Sequence, residues 1–220
     1  MKHNNEWLRF FLQNAVLAVA SYLLYLMFFW SKSGIPFSHQ INRSWADVSI
    51  VLLCLSLITG PLVRISPKFK LLIPWRRDIG LWFAITGVIH IGLLAHLHLK
   101  WNLLRFFINE EGELLKHTAH ASNWVGLVAL LGMIVLTITS NRYSEKLLGT
   151  SSWKFVQQSV YSVFCLVVLH TFIFVYMADD RKAFLFQWFF WSGVIAVIGF
   201  QFWGFILTVK IKQRKENLSN

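Results

Sequence analysis

Eight histidines occur in the 220 residues, and two of them, His90 and His170, stand well inside long apolar runs. An ionisable side chain in such surroundings is costly and normally has a function. The others are placed differently. His3, His39, His117 and His120 fall outside the apolar runs, and His96 and His98 close one of them, where water reaches. His90 lies 13 positions after Arg77, and His170 lies 13 positions after Gln157. Arg77 and Gln157 mark the inner ends of their two runs. At 1.5 Å per residue, each imidazole sits about 20 Å from that inner edge, in the outer half of an apolar layer about 30 Å thick. Two histidines at one depth on two helices running the same way can ligate one iron from opposite faces. A heme suits the setting, because its macrocycle is apolar and axial ligands help set its potential. On spacing alone, two core histidines hydrogen-bonded to neighbouring helices remain an equal reading. A zinc site fits less well, because it wants three or four N, S or O ligands together.

Two smaller signals bear on the pair. Gly80 and Gly87 share a helix face, and Gly87 is three residues before His90. Such a strip gives a flat macrocycle room beside the backbone, and ordinary small-residue helix packing explains it as well. The two cysteines, Cys54 and Cys165, fall within apolar runs, and no C-x-x-C-H is present. Covalent heme attachment is thereby excluded, and both read as packing residues.

The elements that must position these residues are membrane spans. The chain is 56% hydrophobic and only 14% charged, against roughly 25% charged in soluble proteins. A soluble domain of this size has no place to hide that much apolar surface. Six segments suit a bilayer crossing: 10–30, 46–63, 78–98, 122–140, 155–177 and 184–209. The expected fold is an all-α membrane protein, a six-transmembrane-helix bundle forming a single domain over 1–220 with no internal repeat. Ala18-Val19-Ala20 resembles a signal-peptide cleavage site, but the apolar run continues to Trp30, so a retained anchor is expected. With both termini cytoplasmic, two-thirds of the 21 Lys and Arg face inward, as the positive-inside rule requires. The net charge of +11 is then a topology signal, and nucleic acid is not an expected partner.

The ordered motifs carry a resemblance. Thr59-Gly60-Pro61-Leu62-Val63-Arg64 closes the second span, Arg76-Arg77-Asp78-Ile79-Gly80-Leu81-Trp82 opens the third, and His90 follows. Thr139-Ser140-Asn141 closes the fourth span, and Leu148-Gly149, Trp153, Tyr161 and His170 come after it. Over about residues 45–177 this order resembles the ferric reductase-like transmembrane family. It resembles above all the short bacterial branch that serves as heme-binding membrane subunit of the periplasmic methionine sulfoxide reductase system. The resemblance implies that His90 and His170 are axial ligands of a b-type heme. It further implies a multi-pass protein of the bacterial inner membrane, an electron-transfer component of an oxidoreductase. Relatives often place a further histidine where this chain has Gln157, and its counterpart falls at Arg76/Arg77. One heme is therefore expected. With no G-x-G-x-x-G and only a short tail after residue 209, the chain is not expected to take hydride from NAD(P)H itself.

A heme in the outer half needs a donor at the inner face: a flavin reduced by a separate cytoplasmic flavin reductase, or membrane quinol. The family resemblance favours FMN. Arg64, Lys68, Lys70, Arg76 and Arg77 share one inner loop, where they can hold a flavin phosphate or anionic lipid, or act as plain positive-inside anchors. Gln157 can hydrogen-bond a flavin or quinone, or serve structure. Outside, the loop 99–121 carries Glu110, Glu111, Glu113, His117 and His120, which can dock a periplasmic redox partner, collect a metal ion or be merely solvated. Trp101, Trp124, Trp153 and Trp188 read as interface anchors. The electron acceptor is a sulfoxide reductase-like partner or ferric iron. The alternative is a non-redox small transporter or assembly factor. The near absence of acidic residues in the spans and of a broken-helix pair counts against transport.

Overall fold

The computed structural model describes residues 2–108, 112–114, 117–178 and 184–219. They are overwhelmingly helical: α1 (Lys2–Ser31), α2 (Phe37–Ile65), α3 (Ile73–Leu93), α4 (His117–Thr139), α5 (Arg142–Leu148), α6 (Thr150–Gln158), α7 (Val160–Phe172) and α8 (Phe184–Ser219). Among the described residues there is no strand, only one isolated bridge between Ile108 and Leu114. Six stretches are long and apolar enough to cross a membrane: Trp7–Ser31, Phe37–Ile65, Pro67–His98, His120–Thr139, Thr150–Met177 and Leu185–Leu218. All six expected spans are thus present as helices.

Three boundaries differ from the sequence reading, each for a local reason. The second helix starts at Phe37 rather than near 46. Its first turns are polar, so hydropathy misses them, but Pro36 initiates the helix by accepting from the Gln40 N–H at 3.0 Å. The third span continues α3 through a π-helical turn, Leu94–His98, and ends where Lys100 and Trp101 take left-handed backbone angles of 49° and 62°. The fifth span is two helices, not one. Ser159 interrupts it, its hydroxyl donating to the Val156 carbonyl at 2.7 Å, and a second π-helical turn, Ile173–Ala178, follows α7.

The chain groups into two compact units. The first holds α1, α2 from Asp47, α3 to Phe83, and α8 from Leu185. Phe28, fully buried, meets Phe189 edge-on at 5.4 Å and Phe186 at 6.2 Å. Pro61 inside α2 has no N–H, so the carbonyl of Leu57 four residues earlier loses its helical partner. Gln201 of α8 supplies a replacement, donating from Nε2 to Leu57 O at 3.0 Å. Gly204, one turn further along α8, allows contact with the proline ring: a Cβ there would stand 3.3 Å from Pro61 Cβ. In lipid every backbone polar group needs such a partner, so Gln201 and Gly204 are fitted to the Gly60-Pro61 motif.

The second unit holds Lys32–Ala46 and Ala84–Phe184. In it α4 packs along α7, and Gly132 of α4 lies where a Cβ would meet Val163 Cγ2 at 2.6 Å. The C-terminal end of α4 is closed by α6: Trp153 Nε1 donates to the Thr139 carbonyl at 2.8 Å, and Gln157 Nε2 donates to Thr139 Oγ1 at 2.9 Å. These bonds satisfy a helix C-terminus that would otherwise present bare carbonyls.

Candidate functional site

His90 on α3 and His170 on α7 both belong to the second unit. Each is held by a different long helix. His90 Nδ1 lies 2.8 Å from Asn42 Oδ1 and 3.2 Å from the Asn42 carbonyl, in the N-terminal turns of α2. His170 Nδ1 lies 2.8 Å from the Ser122 carbonyl and 3.1 Å from Ser122 Oγ, on α4. Asn42 is 5% exposed and Ser122 0%, so these contacts are shielded from competing water. In both pairs the partner precedes its histidine by 48 positions, and a π-helical turn follows the histidine.

The backbone contacts decide the tautomer. A carbonyl oxygen only accepts, so Nδ1 of each ring carries the hydrogen and donates it. Nε2 is then the bare nitrogen with a lone pair, and among the described residues the hydrogen bonds of both rings run through Nδ1. An oriented imidazole whose other nitrogen donates to a carbonyl or amide oxygen is the usual form of a metal-ligating histidine. Both histidines are half-buried by the protein.

The backbone beside His170 is cut to fit the ring. A Cβ on Gly126 would stand 2.8 Å from both Cε1 and Nδ1 of His170, so only glycine lets α4 approach this imidazole. Gly126 is one turn from Ser122, which places the hydrogen-bond acceptor and the close approach on one face of α4. On α3, Gly87 is buried. Gly80 takes the packing role: a Cβ there would meet Ser56 Oγ of α2 at 3.4 Å, within the first unit. The donor set of two Nδ1-anchored imidazoles on separate helices therefore fits a bis-histidine heme. Among the described residues no group of three or more His, Cys, Asp or Glu that could hold a metal ion is found.

The remaining sequence candidates separate. Gln157 spends its amide nitrogen on Thr139. Arg76 packs its guanidinium beside Gly60, where a Cβ would stand 3.3 Å from Nη1, and its carbonyl accepts from Ser56 Oγ at 3.2 Å. Arg76 and Arg77 belong to the first unit and Gln157 to the second. His98 meets His39 at a tilt with ring centroids 4.3 Å apart, and His96 meets Trp101 edge-on at 6.2 Å. His120 accepts from Trp124 Nε1 at 3.0 Å. Glu113 is exposed, while Glu110, Glu111 and the His117 side chain lie outside the described residues.

Sequence reasoning did not find Asn42, Ser122 or Gly126. Asn42 falls outside the six expected spans, and nothing about a lone serine or glycine on the fourth span marks it as facing His170. The signal is tertiary.

Residues 19–168 match the family described as the ferric reductase like transmembrane component. That stretch includes Asn42, His90, Ser122 and Gly126 and stops two positions before His170. The chain is 31% identical over 159 residues to the protein-methionine-sulfoxide reductase heme-binding subunit MsrQ of Enterobacter sp. (strain 638), a match spanning 70% of this chain and 76% of that protein. With six membrane-spanning helices and most of its length matched, the chain belongs to the ferric reductase-like transmembrane family.

Proposed function

We propose that this protein is a b-type heme subunit of the bacterial inner membrane that carries electrons outward, with His90 and His170 as the axial ligands of one heme. The observation that carries the reading is the pair of Nδ1–H donations to Asn42 and Ser122, which leave two bare Nε2 atoms in one unit. The name of the Enterobacter relative, a heme-binding subunit of a methionine sulfoxide reductase, supports the cofactor and suggests a sulfoxide reductase as periplasmic partner. Ferric iron is the other acceptor consistent with the family.

When bound, the heme supplies a reversible one-electron centre inside the apolar layer. The protein's own residues do the rest. His90 and His170 would hold the iron through Nε2. Asn42 and Ser122 fix the ring planes and the proton at Nδ1. Gly126 lets the His170 ring lie against α4. The surrounding apolar helices exclude water. The inward excess of Lys and Arg supports cytoplasmic termini, and on that topology the histidines lie in the outer half. Electrons then enter from the inner side, from a flavin reductase acting through FMN or from quinol. Arg76 and Arg77, exposed at the start of α3, are suited to an anionic flavin phosphate. Gln157 keeps only its side-chain carbonyl for a flavin or quinone.

The test is a reduced-minus-oxidised spectrum of the purified protein beside His90→Ala and His170→Ala. The proposal expects b-heme bands in the parent and their loss in each variant. Bands that survive both substitutions, or a parent with none, would overturn it.

A further inference from the structure

The two histidines are not held alike, and the difference assigns a role to Asn42. His170 donates to a main-chain carbonyl, with a hydroxyl 3.1 Å away whose own hydrogen is directed at the His170 carbonyl at 3.2 Å. Substituting Ser122 leaves the main-chain acceptor in place. His90 donates chiefly to a side chain: Asn42 Oδ1 at 2.8 Å is closer than the Asn42 carbonyl at 3.2 Å. An amide oxygen is a strong acceptor, and at 5% exposure it works with little competition from water. The stronger the acceptor at Nδ1, the more electron density Nε2 gives to a bound metal.

From this geometry we propose that Asn42 sets the electron-donating strength of His90, and through it the reduction potential of the iron centre. Asn42 is a positioning and tuning residue: it acts through His90 and does not touch the iron. The inference rests on the His90/His170 ligation proposed above. Electron density donated through Nε2 favours ferric over ferrous iron, so the native amide holds the potential lower than an apolar residue would. A carboxylate at the same place accepts the Nδ1–H more strongly and lowers the potential further. The main-chain carbonyl at 3.2 Å keeps the ring near its place when the side chain changes, so ligation and tuning are separable.

The experiment is redox potentiometry and low-temperature electron paramagnetic resonance on the purified full chain. It compares the parent with N42L, N42S and N42D. The expected result is ordered: the midpoint potential of N42L lies above the parent and that of N42D below it. The low-spin ferric signal moves in opposite directions in the two variants. Heme release is faster than in the parent by about 10-fold in N42L, as for lost outer-shell partners of metal ligands. Equal potentials in all heme-retaining variants would overturn the proposal and leave Asn42 a packing residue. Loss of heme from all three variants, including N42D, would likewise overturn tuning in favour of a purely structural role. A parent without heme would instead overturn the ligation reading itself, so the two failures are distinguishable.

Discussion

Replacing Gly126 by alanine puts a methyl group in place of a hydrogen on α4, and the effect should fall on His170. In an unencumbered helix interior the change is favourable by about 1 kcal/mol, because alanine restricts the unfolded chain and glycine does not. Here the new Cβ would stand 2.8 Å from Cε1 and Nδ1 of His170. Ordinary carbon contacts lie at roughly 3.5–4.0 Å, so the ring must withdraw by about 0.7 Å. Withdrawal by that amount stretches the Nδ1 to Ser122 O bond from 2.8 Å to about 3.5 Å, beyond hydrogen-bonding range. The lost bond costs about 1 kcal/mol. Nε2 moves with the ring, and disturbing the partners of a metal ligand typically costs about 10- to 100-fold in affinity. Gly92→Ala is the control, because nothing lies within 4 Å of its added carbon. The assay is heme retained per chain after purification, with the rate of heme transfer to excess apomyoglobin. G126A should lose heme at least about 10-fold faster than the parent, while G92A should match the parent. A G126A protein with the parent's heme content, spectrum and release rate would refute the placement of His170 against α4.

Other perturbations separate structure from site. Gln201→Leu leaves the Leu57 carbonyl without its Nε2 donor; it should destabilise the protein by about 1 kcal/mol, read as a lower melting temperature in detergent, with the heme spectrum unchanged. Trp153→Phe removes the donor to Thr139 O and should lower the same melting temperature by a comparable amount, about 1 kcal/mol, again without moving the heme bands. The double variant Arg76→Gln, Arg77→Gln should keep its heme and slow its reduction by reduced FMN, measured by stopped-flow at low salt; an unchanged rate would remove these arginines from the donor site.

The spans were legible because a bilayer imposes a length and a composition on each helix, and both can be counted. His90 and His170 stand out for the same reason: a histidine deep in an apolar run is conspicuous, and their equal offsets from Arg77 and Gln157 are the ground for expecting them at one depth. Their supports were not legible. Asn42 sits on a polar first stretch of α2 that no hydropathy count includes, and its helix is recognisable only from Pro36. Ser122 and Gly126 are ordinary residues on a neighbouring helix, and only the pairing of α4 with α7 gives them a role. Gly80 drew notice because it shares a helix with His90, yet it packs on Ser56. The break at Ser159 has no proline or glycine to announce it. Trp153 looked like an interface anchor and proves to cap α4, a use of its N–H that depends on where the chain turns after Gly149.

The central claim is that one heme is held between His90 and His170. Pyridine hemochrome quantification per chain, in the parent and in His90→Ala and His170→Ala, tests it most directly. The account predicts one b-type heme per parent chain and its loss from either variant. Two hemes per parent chain, or a full complement retained in either variant, would contradict it.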